Sequence, residues 1–351
     1  MNSNKAVKIA MKWIIRIFLG SVIFLVMLMA VGWSSQAIFS RYEAGIYQAP
    51  GHLVDVGGYK MHLHCIGTGT PTIVLDTGLG LPAASFGPLQ RELSKTTRVC
   101  TYDRAGYGFS EPGPLPRTNR QAASELHDLL TNAHEEAPFI LVGHSLGGLN
   151  VRFYQSIFPR EVAGLILLDA ATEEALNSPV WEIFHAQFAP IESDLGLSLG
   201  RAMISFGIPR FASLFAPDMM KNNSFSPEEK QAIRALTVST KNLNAALNEA
   251  HVIKQVFLDA TSHCGHIENI PLAVIAAGKI EGLELVTDSK EKADALTIEW
   301  INLQRNLAKL STNSKFIIAE RSGHGIHLDQ PELVVETAKQ MIQEILFIPT
   351  S

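Results

Sequence analysis

The chain has 351 residues, 46% hydrophobic and 18% charged, with a formal net charge of −5. This is a globular composition with a slight apolar excess, and no basic face calls for nucleic acid as a partner. The length permits two domains, although one α/β core with insertions uses as many residues. Neither an internal repeat nor a low-complexity tract is present.

The N-terminus stands apart. Lys5, Lys8, Lys12 and Arg16 precede an uncharged apolar run from Ile17 to Trp33. As a helix that run spans about 26 Å, just short of a ~30 Å hydrocarbon core. Trp13, Ile14 and Ile15 extend it, Arg16 reaches back to the headgroups, and Trp13 and Trp33 fall near the two interfaces. Residues 1–40 are therefore expected to form a basic segment and a transmembrane signal anchor. The competing reading is a signal peptide cleaved at Ser35-Gln36-Ala37, which would release a secreted protein. The run is longer than a usual signal-peptide core, which favours the anchor. Either way the basic end stays cytoplasmic and the chain beyond about residue 40 lies on the periplasmic or extracellular side.

Next, His52–Val56 and Tyr59–Ile66 flank Gly57-Gly58 and read as a hairpin. Apolar runs that read as buried strands follow at Pro71–Asp76, Arg98–Tyr102, Phe139–Gly143, Val162–Leu168, Leu272–Ala277 and Lys315–Ala319. Helical patterns lie between them at Thr118–His134, Asn150–Ser156, Thr297–Leu310 and Pro331–Leu346. Strands alternating with helices imply crossover connections and a mostly parallel sheet. Between Asp169 and Pro271 no strand is evident, yet the segment carries Trp181, Phe184, Phe188, Met203, Phe206, Phe211, Phe215, Met219 and Met220. That is too apolar for a disordered linker. Residues 172–270 are expected to be a helical insertion, either a lid over the strand ends or ordinary helices packed on the sheet. Residues 41–171 and 271–351 make up the core.

Of the three cysteines, Cys65 and Cys100 lie in two of the predicted strands. If those strands pair, an oxidising compartment can join the thiols; otherwise they are two small buried thiols, and Cys264 is left over.

The strand Phe139–Val142 runs directly into Gly143-His144-Ser145-Leu146-Gly147-Gly148. Gly-x-Ser-x-Gly between a buried strand and a helix is the form of a nucleophile elbow, with the serine exposed on a sharp turn and glycines where side chains would collide. A serine hydroxyl needs a base, and the base an orienting acid. The base candidate is His324 in Ser322-Gly323-His324-Gly325, on a loop after the last strand and before a helix that starts at Pro331. His327 is its rival, with packing in that loop as the expected role, and His144 is expected to line or support the pocket.

These motifs, with the Asp103-Arg104-Ala105-Gly106-Tyr107-Gly108 loop and Gln330-Pro331-Glu332, resemble the α/β-hydrolase superfamily over roughly residues 50 to 347. The resemblance implies an eight-stranded, mostly parallel sheet flanked by helices, with the second strand antiparallel. It places the Cys65 strand beside the Cys100 strand, which favours the disulfide. It also implies an acid after the seventh strand, but Ala276-Ala277-Gly278-Lys279-Ile280-Glu281 lacks the usual Gly-x-x-Asp form. A minority of the family places the acid after the sixth strand, where Asp169 stands. Asp169 is the expected acid, with Asp288 and Glu281 as alternatives. The oxyanion donors are expected to be the backbone N–H of Leu146 and, from the loop after the third strand, of Leu79. Asp103 and Arg104 are expected to form a structural ion pair.

No metal site is expected. His62 and His64 share a strand face, and His263 and His266 lie one helical turn apart, but neither pair has a third ligand. No cofactor is expected either, and the oligomeric state is open. The reading is a membrane-anchored serine hydrolase acting on carboxylic esters of hydrophobic or lipid-like substrates. The alternatives are an acyltransferase or cofactor-free peroxidase-like relative with the same triad, or a catalytically inactive hydrolase fold acting as a binding module.

Overall fold

A computed structural model describes residues 3–215, 224–265, 267, 269–280, 283, 287 and 289–347. Met219, Met220, His266, Glu281 and Asp288 lie outside the described residues. The strands are β1 (His52–Asp55), β2 (Lys60–Ile66), β3 (Ile73–Asp76), β4 (Val99–Tyr102), β5 (Phe139–His144), β6 (Val162–Leu168), β7 (Leu272–Ala277) and β8 (Ser314–Ala319). They form one eight-stranded sheet in the order β1-β2-β4-β3-β5-β6-β7-β8. β2 is antiparallel to both neighbours, and β4, β3 and β5 to β8 pair in parallel.

The inner strands are buried on both faces, as their unbroken apolar runs require. Alternate residues feed opposite layers. Val74, Leu141, Leu165, Leu167 and Val274 pack with α3 (Asn119–Asn132) and α4 (Leu146–Ile157). Ile73, Leu75, Ile140, Val142, Ile166 and Ile275 face the other way, against α2 (Gly87–Leu93) and the C-terminal helix Pro331–Phe347.

Between β6 and β7 run α5 (Pro179–Ala186), α6 (Asp194–Ser205), α7 (Ile208–Ala212), α8 (Pro227–Thr237), α9 (Thr240–His251) and α10 (Ile253–His263). Ile253, Val256, Phe257 and Ala260 of α10 share the buried cluster of α3 and α4, so this last helix sits in the sheet-covering layer. Trp181 of α5 packs on Phe257 with ring centroids 4.9 Å apart.

Helix α11 (Lys290–Ala308) starts seven residues before the expected Thr297, because Ser289 caps it by accepting from the Lys292 N–H. Its exposed first turn carries no apolar period to announce it. Helix α1 (Ser3–Ile46) is 44 residues long, about 66 Å, and outruns the apolar segment at both ends. None of its most apolar window is buried inside the rest of the protein. A short helix α12 (Ile326–Asp329) precedes α13 (Pro331–Phe347).

Candidate active site

The site is assembled at the carboxyl ends of β3, β5 and β6 and in the loop after β8. Ser145 is the single residue between β5 and α4, with φ +54° and ψ −122°. An L-residue adopts that backbone only where its surroundings dictate it. Three glycines make the turn possible. A Cβ on Gly143 would stand 2.5 Å from the Gly147 carbonyl oxygen, one on Gly147 would stand 2.4 Å from the Asp76 carbonyl oxygen, and one on Gly148 would stand 2.3 Å from Ala170 Cβ. The Ser145 carbonyl accepts from the N–H groups of Gly148 (3.0 Å) and Ala171 (2.9 Å), tying the elbow to the chain after β6.

Asp169, the first residue beyond β6, has φ +43°. Its Oδ2 lies 2.6 Å from His324 Nδ1. Its Oδ1 accepts from Trp300 Nε1 at 2.7 Å and from the Ala277 N–H at 3.0 Å. The carboxylate is 3% exposed and the His324 side chain 55% exposed, so the acid is enclosed while the imidazole opens outward. Asp329 holds the histidine loop, accepting from Ser322 Oγ and the Gly323 N–H at 3.1 Å each.

His144 and His327 flank this histidine without replacing it. His144 Nε2 donates to the His324 carbonyl at 2.9 Å, which fixes its tautomer, and the two rings lie 4.6 Å apart. Burial and the neighbouring His327 and His324 hold His144 well below the ordinary histidine range. His327 packs between Phe86 and His144, with centroids 4.7 and 4.6 Å away. Burial first, and His324 second, lower its pKa to about 3. Both are neutral packing imidazoles.

Leu146 is the first residue of α4, where N–H groups have no partner within the helix. Leu79 lies in the loop after β3, and a Cβ on the adjacent Gly78 would stand 3.1 Å from Ser145 Cβ. Arg104 fixes that loop. Its guanidinium donates to Asp76 Oδ1 (2.6 Å) and to the Thr77 (2.7 Å) and Gly78 (3.1 Å) carbonyls. It also donates to both carboxylate oxygens of Glu249 on α9, at 2.9 and 3.0 Å. Burial works against ionised Glu249, but Arg104 outweighs it and keeps the carboxyl below its usual range. Asn242 adds a second link, donating to the Gly80 carbonyl at 2.9 Å and accepting from the Gly108 N–H at 3.0 Å.

Asp103 and Arg104 are buried and structural but do not pair with each other, contrary to the sequence-based expectation. Asp103 binds His62 Nδ1 at 2.8 Å and the N–H groups of Ala83 and Phe109. The chain turns between the two side chains and sends them to opposite partners. His62 Nε2 also meets the Pro50 carbonyl, so His62 is committed to the fold. His64 is partly buried nearby, and His263 Nδ1 bonds the Asp259 carbonyl of its own helix. Cys65 and Cys100 face each other across β2 and β4 and are joined as a disulfide, while Cys264 is a buried free thiol.

A mostly parallel eight-stranded sheet with a serine on a strained strand-to-helix turn, and a histidine and a carboxylate on following strand ends, defines the class of the α/β hydrolases. The chain belongs to the alpha/beta hydrolase family, whose model matches residues 73–337. It is 22% identical over 307 residues to the uncharacterized protein YbdG of Bacillus subtilis, covering 86% of this chain and 89% of that protein. Among solved structures it resembles the enol-lactonase from Burkholderia xenovorans LB400, with a TM-score of 0.59, 18% identity, and coverage of 83% of this chain and 100% of that one. It also resembles a bromoperoxidase from Bacillus anthracis, with a TM-score of 0.58, 17% identity, and coverage of 83% and 99%.

Proposed function

We propose that this protein is a serine hydrolase of carboxylic esters in which Ser145, His324 and Asp169 act as nucleophile, base and orienting acid. The observation that carries the reading is the 2.6 Å contact between His324 Nδ1 and Asp169 Oδ2. His324 Nε2 takes the Ser145 proton as Oγ bonds to the ester carbonyl carbon. The carbonyl oxygen becomes an oxyanion held by the N–H groups of Leu146 and Leu79, each worth about 3 kcal/mol in the transition state. Collapse breaks the ester C–O bond, and the imidazolium protonates the departing alkoxide to give the alcohol. Water, deprotonated by His324, then attacks the acyl-serine. Collapse of that intermediate releases the carboxylic acid and returns the proton to Ser145. Asp169 orients the imidazole and stabilises the imidazolium.

Residues 172–270 serve as the lid in this reading, and a hydrophobic or lipid-like acyl group suits their apolar content. The catalytic domain lies on the exported side of the membrane, a placement supported by the basic N-terminus and by the disulfide. The likeness to a bromoperoxidase favours one second reading, in which hydrogen peroxide takes the place of water at the acyl-serine and yields a peracid. An alcohol there would make the protein an acyltransferase.

A fluorophosphonate probe tests the proposal. It should label the wild type and leave Ser145→Ala unlabelled; absence of labelling on folded wild type would make the chain a binding module. Competition of peroxide or alcohol with water during ester turnover separates the second reading.

A further inference from the structure

α1 does not end where its apolar run ends. Gly32, one residue before Trp33, touches the turn between α6 and α7 so closely that a Cβ there would stand 2.3 Å from the Phe206 carbonyl oxygen. Beyond it, Gln36 is 2% exposed and donates to the Val238 carbonyl and to Thr240 Oγ1, both at 3.1 Å. Arg210 of α7 grips Glu43 with two hydrogen bonds of 2.6 and 2.7 Å. The insertion is therefore clamped to the stretch of α1 that emerges from its apolar segment.

The surface at that clamp is unusually apolar. Leu195, Leu199 and Met203 recur every four residues along α6 and are exposed, the first at 70%. Off that stripe the helix buries Ile204, and Gly200 sits against Leu247 of α9. Ile208 and Phe211 of the next helix, α7, and Phe215 just after it at 75% exposure, are exposed as well. Phe39 of α1, itself half exposed, lies under the Arg210 guanidinium at 5.7 Å. α7 is thus fastened to α1 a few residues beyond its apolar run.

We infer that the α6–α7 face is a membrane-docking surface, inserted into the same lipid bilayer that α1 spans. A large exposed apolar surface on a folded domain marks an interaction site. This one joins a membrane helix at the level where that helix leaves the hydrocarbon, so the lipid is the occupant already present. Helices with one apolar face lie in the interfacial plane in this way. The face is one helix removed from the catalytic loops, because α9, which backs α6, carries the Glu249 that holds Arg104 and the loop bearing Leu79. A substrate dissolved in the bilayer would meet the insertion before it meets water. The inference rests on reading α1 as a membrane span and is independent of which acyl chemistry Ser145 performs.

The test uses full-length protein in phosphatidylcholine nanodiscs with an environment-sensitive thiol fluorophore. The native thiols do not interfere, since Cys264 is buried and the other two are bonded. Labels go on Leu199→Cys, on Phe211→Cys, on Leu25→Cys within α1, and on Lys339→Cys on α13 as an aqueous control. Nitroxide-bearing lipids should quench positions 199 and 211 to within about twofold of position 25 and leave 339 unchanged. Quenching at 25 with none at 199 and 211 overturns the docking face. If 199 and 211 are then also shielded from aqueous iodide, the face belongs to a second copy of the chain instead. No quenching at 25 overturns the membrane reading of α1 itself, and the docking face with it.

Discussion

Asp169 Oδ2 lies 2.6 Å from His324 Nδ1 across 155 residues of sequence, while the other carboxylate oxygen is held by Trp300 and Ala277. The carboxylate is thus pinned from behind and aimed at one histidine nitrogen. Asp169→Asn keeps the shape but presents an amide that favours the wrong imidazole tautomer. It should lower kcat for a chromogenic ester by about 10³–10⁴-fold with little change in KM. Trp300→Phe removes one donor and should cost about tenfold. Asp288→Asn and Glu281→Gln should stay within twofold of wild type. A full loss in either of the last two would move the acid there.

Much of this site is legible in the chain itself, and the reason is locality. The elbow needs its glycines within three residues of Ser145, and the His324 loop directly follows a strand, so both leave a continuous signature. Asp169 is visible only as a strand-end carboxylate. Its hold on His324 depends on Trp300, 131 residues away and in register with nothing nearby. Glu249 likewise reads as an ordinary helix glutamate until α9 packs on Arg104 and the loop after β3. The failed Asp103–Arg104 pairing has the same origin, since adjacent side chains at a turn diverge toward partners that sequence order does not reveal. α2 went unpredicted because its seven residues, opening on Gly-Pro, are too few to establish a period.

Glu249 should prove structural and catalytic at once. It is buried against Arg104 and Tyr107, and Arg104 holds the carbonyls of Thr77 and Gly78. Glu249→Ala leaves a buried guanidinium short of its second carboxylate, a change that costs about 3–5 kcal/mol. Thermal unfolding should shift down by roughly 5 °C. In the fraction that stays folded, kcat should fall more than KM rises, because the loop carrying the Leu79 N–H loses its brace. An unchanged kcat in folded protein would show that the loop holds itself.

The His62–Asp103 pair predicts a pH-dependent stability. Burial disfavours charged His62, but the Asp103 hydrogen bond and charge, with the Pro50 carbonyl, raise its pKa above 6.5. Its contribution is fully present below 6.5 and is lost as pH rises through the raised value. Burial likewise opposes ionised Asp103, but His62 and the N–H groups of Ala83 and Phe109 hold it below 3.8. That contribution is present above 3.8 and is lost as pH falls through the lowered value. The Tm advantage of wild type over His62→Phe should therefore be greatest between about pH 4 and 6.5 and shrink on both sides. A difference that is flat from pH 4 to 9 would mean that the pair is not ionised.

The Cys65–Cys100 bond links directly opposed residues of β2 and β4 at a sequence separation of 35. Closing a loop of that size in the unfolded chain is worth about 3–4 kcal/mol in the chain-entropy account. The bond also sits between the hairpin edge and the inner strands, so losing it should loosen β1 and β2 before β3, β5 and β6. Reducing agent, or Cys65→Ala with Cys100→Ala, should lower the Tm by roughly 5 °C while ester turnover below the new transition changes less than twofold. The bond should form when the chain passes through the export machinery and stay open when residues 1–40 are removed and expression is cytosolic. Alkylation followed by mass spectrometry reads this directly, and equal oxidation in both compartments would remove the disulfide as support for an exported domain.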